Sequence, residues 1–221
     1  MKRLISIILS VVLTLSALFL ISGCDYVDEK KELEKVSDLR CYYFTGNSDN
    51  YFVEMYGGKR ESPFIADGVC GKLQDYVRIK VLVKSGEEGD YEYHIGINEE
   101  EYTGKLSMEV LGGTYVANLN AKDLGSEYVL KITHDGNTEE VILKSALTDD
   151  SLSWQKAKEK AEKELSDCIS DMGDEYEIYV KFIEGEKNSF NYFWYVAFLN
   201  DERVCAALID VKTGKIIAKR V

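Results

Sequence analysis

Three observations predict a β-rich α+β protein of two domains. Period-two hydrophobicity runs through the middle of the chain, one amphipathic helix begins near residue 153, and strand patterning resumes after it. The expected fold is an N-terminal antiparallel β-sandwich followed by a helix packed on an antiparallel sheet. An apolar leader and a charged linker precede both. The boundaries are drawn at residues 1–23, 24–39, 40–148 and 149–221.

The leader starts with Lys2 and Arg3, and residues 4–21 are apolar apart from Ser6, Ser10, Thr14 and Ser16. A run of about 18 such residues is long enough to span a bilayer, whereas a secretory core is usually shorter. Ile21-Ser22-Gly23-Cys24 decides between them, because small residues fit a narrow peptidase site and the following thiol can take a diacylglycerol. The stretch resembles the lipobox of bacterial lipoproteins. That resemblance implies cleavage before Cys24, lipidation of Cys24, and residence on the outer face of the cytoplasmic membrane. Several buried acyl chains hold a protein firmly, where one holds it weakly. Residues 25–35 (DYVDEKKELEK) read as a solvated spacer, charged and short of core-forming side chains.

Without the first 23 of 221 residues, 198 remain, enough for one large domain or two small ones. The net charge of -12 becomes about -14 once Lys2 and Arg3 leave. Such a surface repels phosphate backbones, which argues against nucleic acid as a partner, and it repels anionic headgroups as well. Four cysteines follow Cys24: Cys41, Cys70, Cys168 and Cys205. An even number outside the cytoplasm permits two disulfides, and spacing favours Cys41 with Cys70 and Cys168 with Cys205. Four buried thiols are the alternative, since free cysteine packs as a small hydrophobe. No CxxC is present, so thioredoxin-like and zinc-ribbon chemistry has no support.

From residue 40 to about 147, strands are expected at 51–56, 76–83, 91–97, 106–111, 114–119, 128–133 and 141–144. Gly57-Gly58 ends the first, and His134-Asp135-Gly136-Asn137 makes a hairpin turn of the Asp-Gly kind. The only proline, Pro63, falls in a loop. About seven short strands at this spacing suggest a two-sheet sandwich, loosely immunoglobulin-like in pattern. His94 lies mid-strand and His134 beside a turn; neither has a nucleophile near it in sequence, and GxSxG and HExxH are absent. Both read as structural. The acidic stretches 87–90 and 99–101 lack the spacing of a calcium loop and read as solvated turns. No catalytic residue, metal ligand or cofactor is expected.

Beyond residue 148 the period changes. Ser153 can cap a helix, Leu152 and Ala157 can staple it, and Asp149 and Asp150 suit its positive end. Trp154, Ala157, Ala161, Leu165, Cys168 and Met172 then form one apolar stripe, closed by Gly173. Strands are expected at 176–183, 192–199, 204–211 and 215–219. The last two join through a hairpin in which Asp210 bonds turn amides and Gly214 supplies positive φ. Cys205, Ala207, Ile209 and Val211 should meet the helix stripe, which would bring Cys205 towards Cys168. The Gly-Lys pair at 214–215 lacks the rest of a phosphate loop.

Ser153, Ala157 and Ala161 on a helix, Trp194-Tyr195-Val196-Ala197, and Leu208-Ile209-Asp210-Val211-Lys212-Thr213-Gly214-Lys215-Ile216-Ile217 together resemble a PepSY domain over residues 149–221. The long charged helix and the insert before the central strand depart from that pattern. The resemblance implies a non-enzymatic role, restraining a peptidase or binding protein partners at the cell envelope. It carries over no catalytic residue.

One side of the 192–199 strand carries Tyr192, Trp194, Val196 and Phe198, the candidate partner-binding residues; the other carries Phe193, Tyr195, Ala197 and Leu199. A sheet covered by one helix needs a single apolar face. The spare face either packs on the sandwich or forms an aromatic patch for a partner. The expected function is a membrane-anchored module that binds protein or peptide, with peptidase restraint as its sharpest form. The alternative is an envelope adhesin or scaffold that uses the sandwich.

Overall fold

The computed structural model describes residues 29–65, 69–109, 113–185 and 191–221. The leader, the Cys24 lipidation site and the start of the linker lie outside the described residues. The chain forms two compact units, Met1–Glu34 and Lys35–Val221. In the first, the described part holds one helical turn, α1 (Glu29–Glu32).

The second unit is mostly antiparallel β-sheet with two helices, as the alternation predicts. Its first nine strands are β1 (Val36–Asn47), β2 (Tyr51–Glu61), β3 (Leu73–Val83), β4 (Glu92–Ile97), β5 (Glu100–Lys105), β6 (Ser107–Met108), β7 (Thr114–Leu119), β8 (Glu127–His134) and β9 (Asn137–Ser145). Helices α2 (Trp154–Glu164) and α3 (Ser166–Ser170) follow, then β10 (Glu177–Glu184), β11 (Tyr192–Leu199), β12 (Val204–Asp210) and β13 (Ile216–Arg220).

Strand β1 organises this unit. One of its edges pairs with β2 along nearly its whole length. The other is shared: residues 36–40 pair in parallel with β10, and Phe44 and Thr45 pair antiparallel with β9. One continuous path therefore runs β13-β12-β11-β10-β1-β2-β3-β7-β6, while β9, β8, β4 and β5 branch from β1 and fold over β2 and β3. Val53, Met55, Ile79 and Val81 meet Ile95, Leu130, Ile132 and Leu143 between these layers, all almost wholly buried. The segments drawn as 40–148 and 149–221 thus share backbone hydrogen bonds, through β1 and β10. The linker also ends sooner than expected, since Val36, Ser37, Asp38 and Leu39 are buried in β1.

Sequence reading did not find β1. Bulges interrupt its register between Val36 and Asp38 and between Arg40 and Tyr42, and each extra residue flips the parity on which alternation depends. Gly57-Gly58, expected to end a strand, instead lies within β2 opposite the second bulge. A Cβ at Gly58 would stand 2.0 Å from the Leu39 carbonyl oxygen, so only glycine lets β1 approach there.

The C-terminal elements match their expected places closely. Ser153 caps α2 by accepting from the Lys156 amide at 3.3 Å. Ala157, Ala161, Leu165, Cys168 and Met172 form the buried stripe, although the helix breaks at Leu165 into two. The stripe meets Cys205, Ala207, Ile209 and Val211, and Cys168 and Cys205 form a disulfide. The Trp194 indole Nε1–H donates to the Leu152 carbonyl at 2.8 Å, fixing the approach to α2.

The second expected pair does not form: Cys41 and Cys70 are thiols. Cys41 sits at the bulge of β1, while Cys70 lies in the β2–β3 connection, which leaves the sheet beyond Arg60, the partner of Asp38. At about 3.3 Å per residue, the sheet end is on the order of 10 Å from Cys41, beyond the Cα span of a disulfide.

Candidate functional site

Cross-strand register corrects the expected partner face. Trp194, Val196 and Phe198 stand opposite Ile209, Ala207 and Cys205, on the side that α2 and α3 cover. All three are essentially fully buried. Tyr192 is half-buried, and its ring stacks on Phe182, 5.2 Å between centroids. Of the four candidate residues, three belong to the core.

The other side of the same sheet is where side chains stand half-exposed. Phe193, Tyr195 and Leu208 line it on β11 and β12, Tyr179, Lys181 and Ile183 on β10, and Arg40 on β1. It continues through Phe52, Tyr56 and Arg60 on β2 and Tyr76, Arg78, Lys80 and Leu82 on β3. These residues alternate with the buried Val53, Met55, Val77, Ile79 and Val81, so the pleat alone puts aromatic and basic groups on one surface. In a chain of net charge -12, this surface concentrates cations.

Most of those cations are locally compensated. Asp38, 1 % exposed, lies 2.8 Å from Lys181 Nζ and 3.5 Å from Arg60 Nε. The Tyr76 hydroxyl donates to the same carboxylate at 3.4 Å. Burial first, and then Asp38, pushes the Tyr76 pKa up. Arg78 and Lys80 lie 2.5 Å and 3.8 Å from Glu109. The Thr114 hydroxyl and Arg78, both bonded to Glu109, hold its carboxyl below the usual range. Arg60 stacks on Tyr76 and Phe64, Lys181 on Tyr179, and Arg40 on Tyr56 with its guanidinium carbon 4.2 Å from the ring centre.

A cavity of about 430 Å³ opens on this surface where β9 and β10 part along β1. Tyr43, 4 % exposed, is a wedge in the fork, packed against Phe182, Tyr192 and Tyr56. Its hydroxyl donates to Glu54 at 2.5 Å, and burial together with that carboxylate raises its pKa strongly. Arg40, Phe52, Tyr56, Lys80, Ile183 and Glu184 complete the walls.

The remaining sequence candidates hold structural positions. His94 Nε2 lies 2.5 Å from Glu101 on the solvent side of β4. His134 stacks on Tyr91 at 4.2 Å, with Nδ1 3.0 Å from the Asp90 carbonyl. That hydrogen bond, assisted by Asp135 and Glu87, raises its pKa. Burial pushes the Cys41 thiol up to about 12. Among the described residues, no group of three His, Cys, Asp or Glu gathers in a way that could hold a metal ion.

Sequence reasoning missed Arg40 and Tyr43 because it missed β1. Tyr76, Arg78 and Lys80 were visible as the polar half of an alternating strand, but nothing in that pattern separates a binding surface from a merely wet one. No family model, curated protein or solved structure matches the chain.

Proposed function

We infer that this chain is the body of an exported lipoprotein, held through Cys24 at the outer face of the cytoplasmic membrane, and that it binds a protein or peptide there. The lipobox-like leader supports the location. The observation that carries the binding role is the half-exposed aromatic and basic surface running from β3 through β1 to β12. Tyrosine and arginine are the residues interfaces favour. The PepSY-like pattern of residues 149–221 makes a peptidase the sharpest candidate partner, restrained rather than assisted in catalysis, and the role proposed for the chain is non-enzymatic.

The test is a photo-crosslinking amino acid placed at Tyr195 in the native lipoprotein on cells, followed by identification of the attached product. A discrete protein or peptide product lost in an Arg40→Glu/Lys80→Glu variant supports the reading. Crosslinks to cell-wall polymer alone favour the adhesin or scaffold. A cytosolic, unacylated chain by intact-mass analysis overturns the location.

A further inference from the structure

The fork cavity contains one cation and one anion that form no ion pair among the described residues. Arg78 and Lys80 are taken by Glu109, and Arg60 and Lys181 by Asp38. Arg40 has no carboxylate within ion-pair distance among the described residues. Its Nε is buried and without a hydrogen-bond acceptor, although its guanidinium is seated on Tyr56 and bonds the Tyr76 hydroxyl. Of the two acids in the cavity, Glu54 is engaged by the Tyr43 hydroxyl, while Glu184 is in no ion pair among the described residues. A buried donor without an acceptor is costly, more so when charged. Phe52, Leu82 and Ile183 supply apolar wall between these groups.

We propose that this cavity binds a zwitterion of amino-acid chemistry, a free amino acid or a short peptide with both ends uncapped. The ligand carboxylate pairs with Arg40, its ammonium with Glu184, and its side chains lie on Phe52, Leu82 and Ile183. Simple anions are disfavoured because Glu54 and Glu184 share the cavity, and simple cations because Arg40 and Lys80 do. A volume of about 430 Å³ lies within the usual range of small-ligand sites. The proposal rests on the reading of this surface as peptide-binding, and names what that surface takes at the fork.

Calorimetric titration of the full chain with leucine, Leu-Phe, N-acetyl-Leu-Phe and Leu-Phe-amide tests it. Leucine or Leu-Phe should bind, the two separating a free amino acid from a peptide. Capping either end of Leu-Phe should weaken binding about tenfold or more, as expected for loss of a charge-assisted hydrogen bond. In Arg40→Gln the amide should lose no further affinity relative to Leu-Phe, and in Glu184→Gln the acetyl form should lose none. The proposal is overturned if neither uncapped ligand binds, or if capping costs nothing in the unaltered chain, a result that does not depend on either variant folding. It is also overturned if each capping penalty survives its variant. Failure here with the Tyr195 crosslink intact sinks this proposal alone; loss of the crosslink sinks the broader reading.

Discussion

Lys181 Nζ stands 2.8 Å from Asp38 Oδ2, and this contact clamps β10 to β1 in the only parallel pairing among the described strands. Asp38 is also where Arg60 of β2 arrives, so one buried carboxylate ties together the three central strands. Its removal leaves two cations facing each other.

Asp38→Asn should therefore destabilise the fold. A fully buried pair broken on one side costs about 3–5 kcal/mol. Lys181 and Arg60 are 20 % and 36 % exposed, so water screens part of the loss. A decrease of about 2 kcal/mol is expected after that screening, read from the urea midpoint. A change within the error of that measurement would mean the clamp contributes nothing.

Reduction of Cys168–Cys205 should cost more. The bridge closes 37 residues of chain, a loop for which the chain-entropy estimate is about 3–4 kcal/mol. Hydrogen exchange should quicken first in α3, which the bridge holds against β12. Equal stability of oxidised and reduced protein would contradict this.

The other two thiols should differ sharply. Cys70 is exposed, whereas burial raises the Cys41 pKa to about 12. Because the thiolate is the nucleophile, alkylation of the native protein near pH 8 should label Cys70 and spare Cys41 until the fold opens. Labelling of both at similar rates would mean β1 is not closed at its bulge.

Trp194→Phe keeps most of the buried ring but removes the indole donor to the Leu152 carbonyl. A loss of about 1–2 kcal/mol is expected for one buried hydrogen bond left with an unsatisfied acceptor. Thermal denaturation should show it as a lower midpoint with the β signal otherwise intact.

Stability should slope with pH at two places, with opposite sign. Bonding to the Thr213 hydroxyl and amide lowers the Asp210 pKa. Its contribution is complete above about 3.9, the unperturbed value, and is lost as pH falls through the lowered value. The His134 pKa is raised, first by its bond to the Asp90 carbonyl. Its contribution is complete below about 6.5 and is lost as pH rises through the raised value. Asp210→Ala should flatten the first slope, to which the lowered Glu109 and Glu139 carboxyls also contribute, and His134→Gln should remove the second, as measured by denaturation across pH.

By itself, the sequence determined the elements whose signals are local. Six apolar residues spaced for a helix face, a serine cap, the Asp135-Gly136 and Asp210-to-Gly214 turns, and clean alternation in β3 each depend on a few neighbouring residues. The Cys168–Cys205 bridge was legible because a helix stripe and a strand face predicted the same contact. Tertiary structure alone decided how the two halves join and which surface stays open. Those outcomes depend on β1, whose bulges scramble its alternation and whose Asp38 is polar yet buried. Which face of β11 is covered was equally hidden, because both faces are apolar, and only the register with β12 assigns Trp194 to the helices and Tyr195 to the solvent.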